Sequence, residues 1–244
     1  VSGFDDAWAA VADVEGWMTE GQGRALFDAA SACPRGGRIV EIGSFRGRST
    51  VVLALAAPPD AEVVAIDPHA GTDRGPGELV GFRAEADADH DAFLANLTRA
   101  GVRDRVRHLR MFSHQALPDV EGRIDVLYID GAHRYRPALG DIRDWGGRVA
   151  DGGTMLIHDS FSSIGVTLAI LRDLVVGGVF RYVGRSRSLA VYRADLAHGR
   201  IRNAARQLAQ LPWFVRNLLV KVLLTLGWGK LLRRAGRSVP EWPY

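Results

Sequence analysis

Short aliphatic, β-branched runs recur along the chain with helical stretches between them. They predict strands at Arg38–Ile42, Glu62–Ile66, Val106–Met111, Ile124–Ile129, Thr154–Ile157, Phe180–Val183 and Leu189–Tyr192. Each of the first five is an apolar run of the length expected for a strand buried on both faces. Helices between such strands favour a doubly wound parallel sheet. The last two runs, split by Gly184-Arg185-Ser186-Arg187, read as an antiparallel hairpin. The predicted fold class is therefore α/β and Rossmann-like: a seven-stranded, mainly parallel sheet with one antiparallel strand and helices on both faces.

Three regions fall outside this alternation. Residues 4–33 read as two leading helices separated near Gly16, so 1–37 is taken as an N-terminal unit beside the pocket and 38–194 as the core. The stretch His69–Gly81, rich in Gly, reads either as a surface insertion or as a lid, since it follows the second strand. Residues 195–244 form a basic, apolar, helical tail interrupted at Pro212.

Composition adds little to the fold but narrows the chemistry. A single cysteine, Cys33, excludes a disulfide framework and a cysteine-rich metal site within one chain. The tail from Gly199 onward carries nine Lys/Arg against Glu241 alone, so the formal +3 conceals a mildly acidic body. A nucleic-acid enzyme would more usually carry its positive charge around the active site. No signal peptide is read at Val1–Asp13, and a cytoplasmic location is expected.

The segment Ile39–Thr50 (IVEIGSFRGRST) runs a buried strand into a glycine turn, and Ser49/Thr50 stand where a helix begins. Gly43 and Gly47 permit a tight bend and close approach of backbone to ligand. Turns at the carboxyl end of the first strand are where open α/β sheets bind nucleotides. Asp67 ends the next strand, where an acid can bond two ribose hydroxyls. Glu41, just before the turn, would repel a pyrophosphate but could receive a cationic amino group. Together these point to S-adenosylmethionine (SAM) rather than NAD.

VEIGSFRGRSTVVLA resembles motif I of class I SAM-dependent methyltransferases, and VVAIDPH resembles motif II. With GWMTEGQGRALFDAA, LYIDGAHRY and GGTMLIHDS, the set is similar to the bacterial branch called methyltransferase family 24. That branch is close to catechol O-methyltransferases and to metal-dependent macrolide-sugar O-methyltransferases. The resemblance spans roughly Gly16 to Arg193. It implies that Met18 and Thr19 lie beside the methionyl end of SAM, that Ser113 lies near the adenine, and that Ser44, Ser49 and Asp130 join the cofactor contacts.

On the acceptor side, Asp130 and Asp159 end consecutive strands and can converge on one rim. A hydroxyl is a weak nucleophile until it approaches the alkoxide; a hard cation on carboxylates would stabilise that charge, and a histidine could take the proton. The resemblance assigns metal binding to Asp130 and the base to His133, within the D-x-x-H block. The acidic pair of those relatives falls here on His158-Asp159. An imidazole there weakens the expectation of magnesium and favours manganese or a softer ion.

The expected activity is metal-assisted O-methylation of a sugar, glycan or other small molecule, for example in methylmannose polysaccharide biosynthesis. A nucleic-acid methyltransferase would call for N-P-P-Y or a catalytic cysteine beside the fourth strand, where IDGAH stands instead. A membrane-associated scaffold on a SAM fold is the remaining alternative, against which the intact motif I speaks. A homodimer is expected, with the tail packing on its own domain, crossing to a partner or touching an anionic membrane peripherally.

Overall fold

The computed structural model describes residues 3–69, 83–195, 197 and 199–226. Its strands are β1 (Arg38–Ile42), β2 (Glu62–Ile66), β3 (Val106–Leu109), β4 (Ile124–Ile129), β5 (Val149–Ile157), β6 (Arg181–Ser186) and β7 (Leu189–Arg193). They form one seven-stranded sheet in the order β3-β2-β1-β4-β5-β7-β6. Pairing is parallel from β3 through β5, and β7 runs antiparallel to both of its neighbours. The expected layout is met, including the single reversed strand.

Strand order reverses between β1 and β4, which opens a crevice at their carboxyl ends. Successive residues feed opposite faces. Val40, Ile42, Val64, Ile66, Leu127, Ile129, Met155 and Ile157 join one core. Ile39, Val63, Ala65, Val126, Tyr128 and Leu156 join the other. This two-sided burial is why the strands read as continuous apolar runs.

The helices are α1 (Phe4–Ala9), α2 (Glu20–Ser31), α3 (Arg48–Ala56), α4 (Arg83–Arg99), α5 (Ser113–Ala116), α6 (Tyr135–Gly140), α7 (Ile164–Ile170), α8 (Arg200–Leu208) and α9 (Leu211–Thr225). α3 is apolar on nearly every side because most of its residues are buried. α6 passes into a π-helical turn over Asp141–Trp145.

β3 ends at Leu109 rather than Met111, and three boundaries differ more. β5 begins at Val149 rather than Thr154, because polar Asp151 and the glycines read as a turn yet still pair, Gly152 donating to the Ala194 carbonyl. β6 runs on through Gly184–Ser186, which reduces the hairpin turn to Arg187-Ser188. Pro212 lies in the first turn of α9, where its missing N–H costs nothing, and the break falls at Ala209–Gln210.

α9 is tied to the sheet rim. Asn217, fully buried, donates from Nδ2 to the Phe161 carbonyl at 3.1 Å, and Lys221 donates to the Ser162 carbonyl at 3.0 Å. Trp213 and Phe214 pack on the first core, while Val215, Leu219, Val222 and Leu226 are exposed. Among the described residues no helix is long and apolar enough to cross a membrane. The stretch beyond His69, read as either a surface insertion or a lid, and the tail beyond Leu226 lie outside the described residues.

Candidate functional site

A cavity of about 400 Å³ opens at the carboxyl ends of β1, β2, β4 and β5. Its size is that of a small-molecule pocket. Gly43, Asp67, Ser113, Asp130, His133, His158 and Asp159 all line it. Seven of the residues singled out from sequence thus converge on one wall system.

The glycine turn is built for close approach. Gly43 has φ +88°, and a Cβ there would lie 2.1 Å from the Asp130 carbonyl oxygen. Only glycine lets β1 leave the sheet against the β4 backbone. Gly47, at φ +85°, caps α3 and packs against Phe93.

Asp67 is fixed by that turn. Its Oδ2 accepts from the Ser44 and Phe45 N–H groups at 2.8 and 2.7 Å, and Oδ1 from the His69 N–H at 2.6 Å. Burial pushes its carboxyl up, with these three donors acting the other way. A carboxylate offers about four acceptor sites, so one remains for a ribose hydroxyl rather than the two expected.

Glu41 sits one layer deeper than expected. It points to the α3 side of the sheet, is fully buried and accepts from the Ser49 hydroxyl at 2.5 Å and from the Thr50 hydroxyl. It does not line the cavity, and neither do Ser44, Gly47 and Ser49, which were expected with it as cofactor contacts. Burial pushes the Glu41 carboxyl up to about 7, against the lowering effect of the Ser49 and Thr50 hydroxyls.

A raised carboxyl pKa makes the folded state bind its proton more tightly than the unfolded chain. That stabilisation is complete below about 4.5 and is lost as pH rises to about 7. Glu41→Gln supplies a neutral isostere to hydroxyls that can turn from donor to acceptor. The variant is expected to gain on the wild type between pH 5 and pH 8, by at most about 3 kcal/mol. Melting curves across that range check it; a parallel pH dependence of the two proteins would remove the buried carboxyl as the cause.

Met18 and Thr19 are not brought to the cavity. Met18 is buried in the second core, and Thr19 precedes α2, its N–H and hydroxyl both donating to Gln22 Oε1 at 2.8 and 3.0 Å. Trp17 lines the cavity instead, its ring 5.4 Å from Phe45. Ser113 lines the far end, donating to Asp141 Oδ1 at 2.5 Å. Burial pushes Asp141 up to about 6, Ser113 opposing it. Asp141, Asp144 and Trp145, all from the π-helical turn, line the cavity as well; such turns are frequent at functional sites.

The acid cluster is compact. His133 Nε2 lies 2.8 Å from Asp159 Oδ2, and His158 Nδ1 lies 3.1 Å from Asp130 Oδ1 and 3.3 Å from Asp159 Oδ2. The Tyr128 hydroxyl donates to Asp130 Oδ2 at 2.8 Å. Donor atoms of Asp130, His133 and Asp159 lie within 4.8 Å of one another, a spacing able to hold a cation.

His158, expected as a ligand, is spent otherwise. Its Nδ1 bridges the two carboxylates, and its Nε2 lies 3.3 Å from Gln22 Nε2. Gln22 Oε1 is committed to Thr19, so the amide turns a donor toward the ring. Burial lowers the His158 imidazole and the Asp130 and Asp159 carboxylates pull it up, but the Gln22 N–H turned toward Nε2 requires a lone pair there, so the ring is neutral with its proton on Nδ1. Burial pushes Asp159 up, yet the hydrogen bonds from His133 and His158 hold it well below the usual carboxylate range. With its ring nitrogens so engaged, His158 braces the carboxylates, and His133 takes its place in the trio able to hold a cation.

The turn carrying Asp159 is strained. Asp159 and Phe161 have φ of +54° and +56°, a region that non-glycine residues rarely adopt. The bonds from Asn217 and Lys221 to this turn hold it from the α9 side. Gly165 lets α7 approach the D-x-x-H loop, where a Cβ would lie 2.1 Å from the His133 carbonyl oxygen. Sequence reasoning missed Gln22, Asn217, Gly165 and the π-helical turn; only Gly165, a glycine opening a helix, left a local trace.

Residues 40–160 match the family described as Methyltransferase domain. The fold is similar to cofactor-bound Rv0187 from MTB, with a TM-score of 0.56 and 20% identity over 78% of this chain and 87% of that one. It is also similar to the O-methyltransferase TomG from Streptomyces achromogenes, solved with SAM (TM-score 0.53, 17% identity, 80% and 89% covered). A third likeness is to the O-methyltransferase NovP (TM-score 0.56, 18% identity, 71% and 79% covered). At these identities the likeness is one of fold.

Proposed function

Since residues 40–160 are a methyltransferase domain set in a class I sheet, we propose that this chain transfers a methyl group from SAM to a hydroxyl oxygen of a sugar or other small molecule, assisted by a divalent cation. The observation that carries the reading is the meeting, in one cavity, of Asp67 on the nucleotide side and Asp130, His133 and Asp159 on the other.

The residues present fit the donor. Asp67 lines the cavity with an acceptor site to spare, and Phe112 lines it beside Ser113. Bound there, SAM supplies an electrophilic methyl carbon. The carboxylates of Asp130 and Asp159 also fit a divalent cation, which would stabilise the developing alkoxide.

His133 has two exclusive roles. As a ligand through Nε2 it would carry its proton on Nδ1 and could not act as base. The contact with Asp159 requires a proton on Nε2, so the neutral ring carries its lone pair on Nδ1. His133 is therefore assigned as base, oriented by Asp159. The acceptor oxygen bonds to the methyl carbon, the carbon–sulfur electrons go to sulfur, and the hydroxyl proton passes to His133 Nδ1. Arg134 and Arg136 line the same cavity, beside the base.

The test is turnover of methyl-labelled SAM against catechol and mannose oligosaccharides, the latter probing the narrower reading of a methylated polysaccharide. Labelled ether is expected, falling roughly a hundredfold or more in chelator and restored by Mg²⁺ alone. Label on nitrogen or carbon overturns oxygen as acceptor. Full activity in chelator overturns the cation and leaves His133 to act alone.

A further inference from the structure

Across the cavity from the acid cluster, three imidazoles meet. His69 follows β2, His108 lies in β3, which pairs with β2, and His90 comes from α4. Their ring centroids are 5.0, 5.1 and 5.2 Å apart, and His69 Nε2 lies 3.1 Å from His108 Nε2. One ligand nitrogen from each lies within 4.8 Å of the others. Phe93 backs the group, 4.5 Å from His108 and 5.3 Å from His69.

Three features distinguish this from chance packing. His69 is 2% exposed and held at φ +52°, with its Nε2 turned to the Nε2 of His108. Burial pushes the His69 and His108 rings down to about 4, so both offer lone pairs at neutral pH. Among the described residues, the charged groups acting on the three rings are Asp67, Asp87, Asp89 and Asp91 against Arg103 and Arg110, a surplus of negative charge.

We propose that His69, His90 and His108 bind one divalent transition ion of the zinc class, at a site separate from Asp130, His133 and Asp159. Metal–nitrogen bonds of about 2.0–2.1 Å in a tetrahedral site place ligand nitrogens about 3.3 Å apart, close to the separation of His69 and His108. Neutral imidazoles favour zinc, cobalt, nickel or copper, whereas an oxygen-rich set favours magnesium or manganese. The ion would clamp the end of β2 to β3 and α4, and it does not depend on the methyl-transfer reading.

The test is titration of the chelator-treated full chain with Co²⁺ in excess Mg²⁺, which fills oxygen sites. One equivalent is expected to bind with intense visible bands of four-coordinate cobalt and to be displaced by Zn²⁺. His90→Ala, at a partly exposed helix position, and His108→Asn are each expected to weaken Co²⁺ binding at least about tenfold. Asp130→Asn is expected to bind as the wild type does, with circular dichroism confirming that each variant is folded. Absence of Co²⁺ binding, or binding lost in Asp130→Asn and kept in folded His90→Ala, overturns the site.

Discussion

Asp159→Asn is expected to lower turnover by about 10²–10⁴-fold while changing SAM affinity only a few-fold. Asparagine is the informative replacement because Asp159 has φ +54°, and asparagine tolerates that region far better than alanine does. The backbone turn should survive, and what disappears is the charge facing His133 Nε2 at 2.8 Å and His158 Nδ1 at 3.3 Å. An amide accepts a hydrogen bond from His133 but neither stabilises an imidazolium nor holds a cation with comparable strength. Steady-state kinetics with SAM binding by calorimetry separates the two effects. Equal losses in turnover and SAM affinity would mean that Asp159 only shapes the donor pocket.

Gly43→Ala is expected to abolish SAM binding and to lower stability by about 2–5 kcal/mol. The added Cβ meets the Asp130 carbonyl oxygen at 2.1 Å, on a residue whose φ of +88° already excludes most side chains. Relief requires β1 and β4 to part at their carboxyl ends, which displaces the N–H groups of Ser44 and Phe45 from Asp67. Gly36→Ala is the control: φ is also positive, at +69°, but nothing lies within 4 Å. Strain alone should cost about 1–2 kcal/mol there, with SAM binding kept. Similar losses in the two variants would show that conformational strain, not the contact with Asp130, governs the first.

The centre of the sheet was legible because β1, β2 and β4 are buried on both faces, so their apolar runs are continuous, whereas β3 is exposed at Arg107 and ends at Leu109, short of the expected Met111. Irregular edges were not: Val149–Gly153 pairs despite its polar and glycine content, and Gly184 is absorbed into β6. Asp67, Asp130, His133 and Asp159 could be found because strand ends are fixed points of the fold. What distant elements add could not. Nothing local to Gln22 or Asn217 says that α2 reaches His158 or that α9 reaches the turn after Asp159. The burial of Glu41 follows from which face of β1 it occupies and from α3 closing over it. His69, His90 and His108 are spread along the chain and meet only because β2 and β3 are neighbours.

The most direct measurement is a crystal structure of the chain bound to the demethylated donor, S-adenosylhomocysteine. Methyl transfer at the acid cluster requires the thioether sulfur to face Asp130, His133 and Asp159 across the cavity, with a ribose hydroxyl on Asp67. A sulfur turned toward any other wall, with those three side chains out of reach of the carbon it once carried, would contradict the assignment.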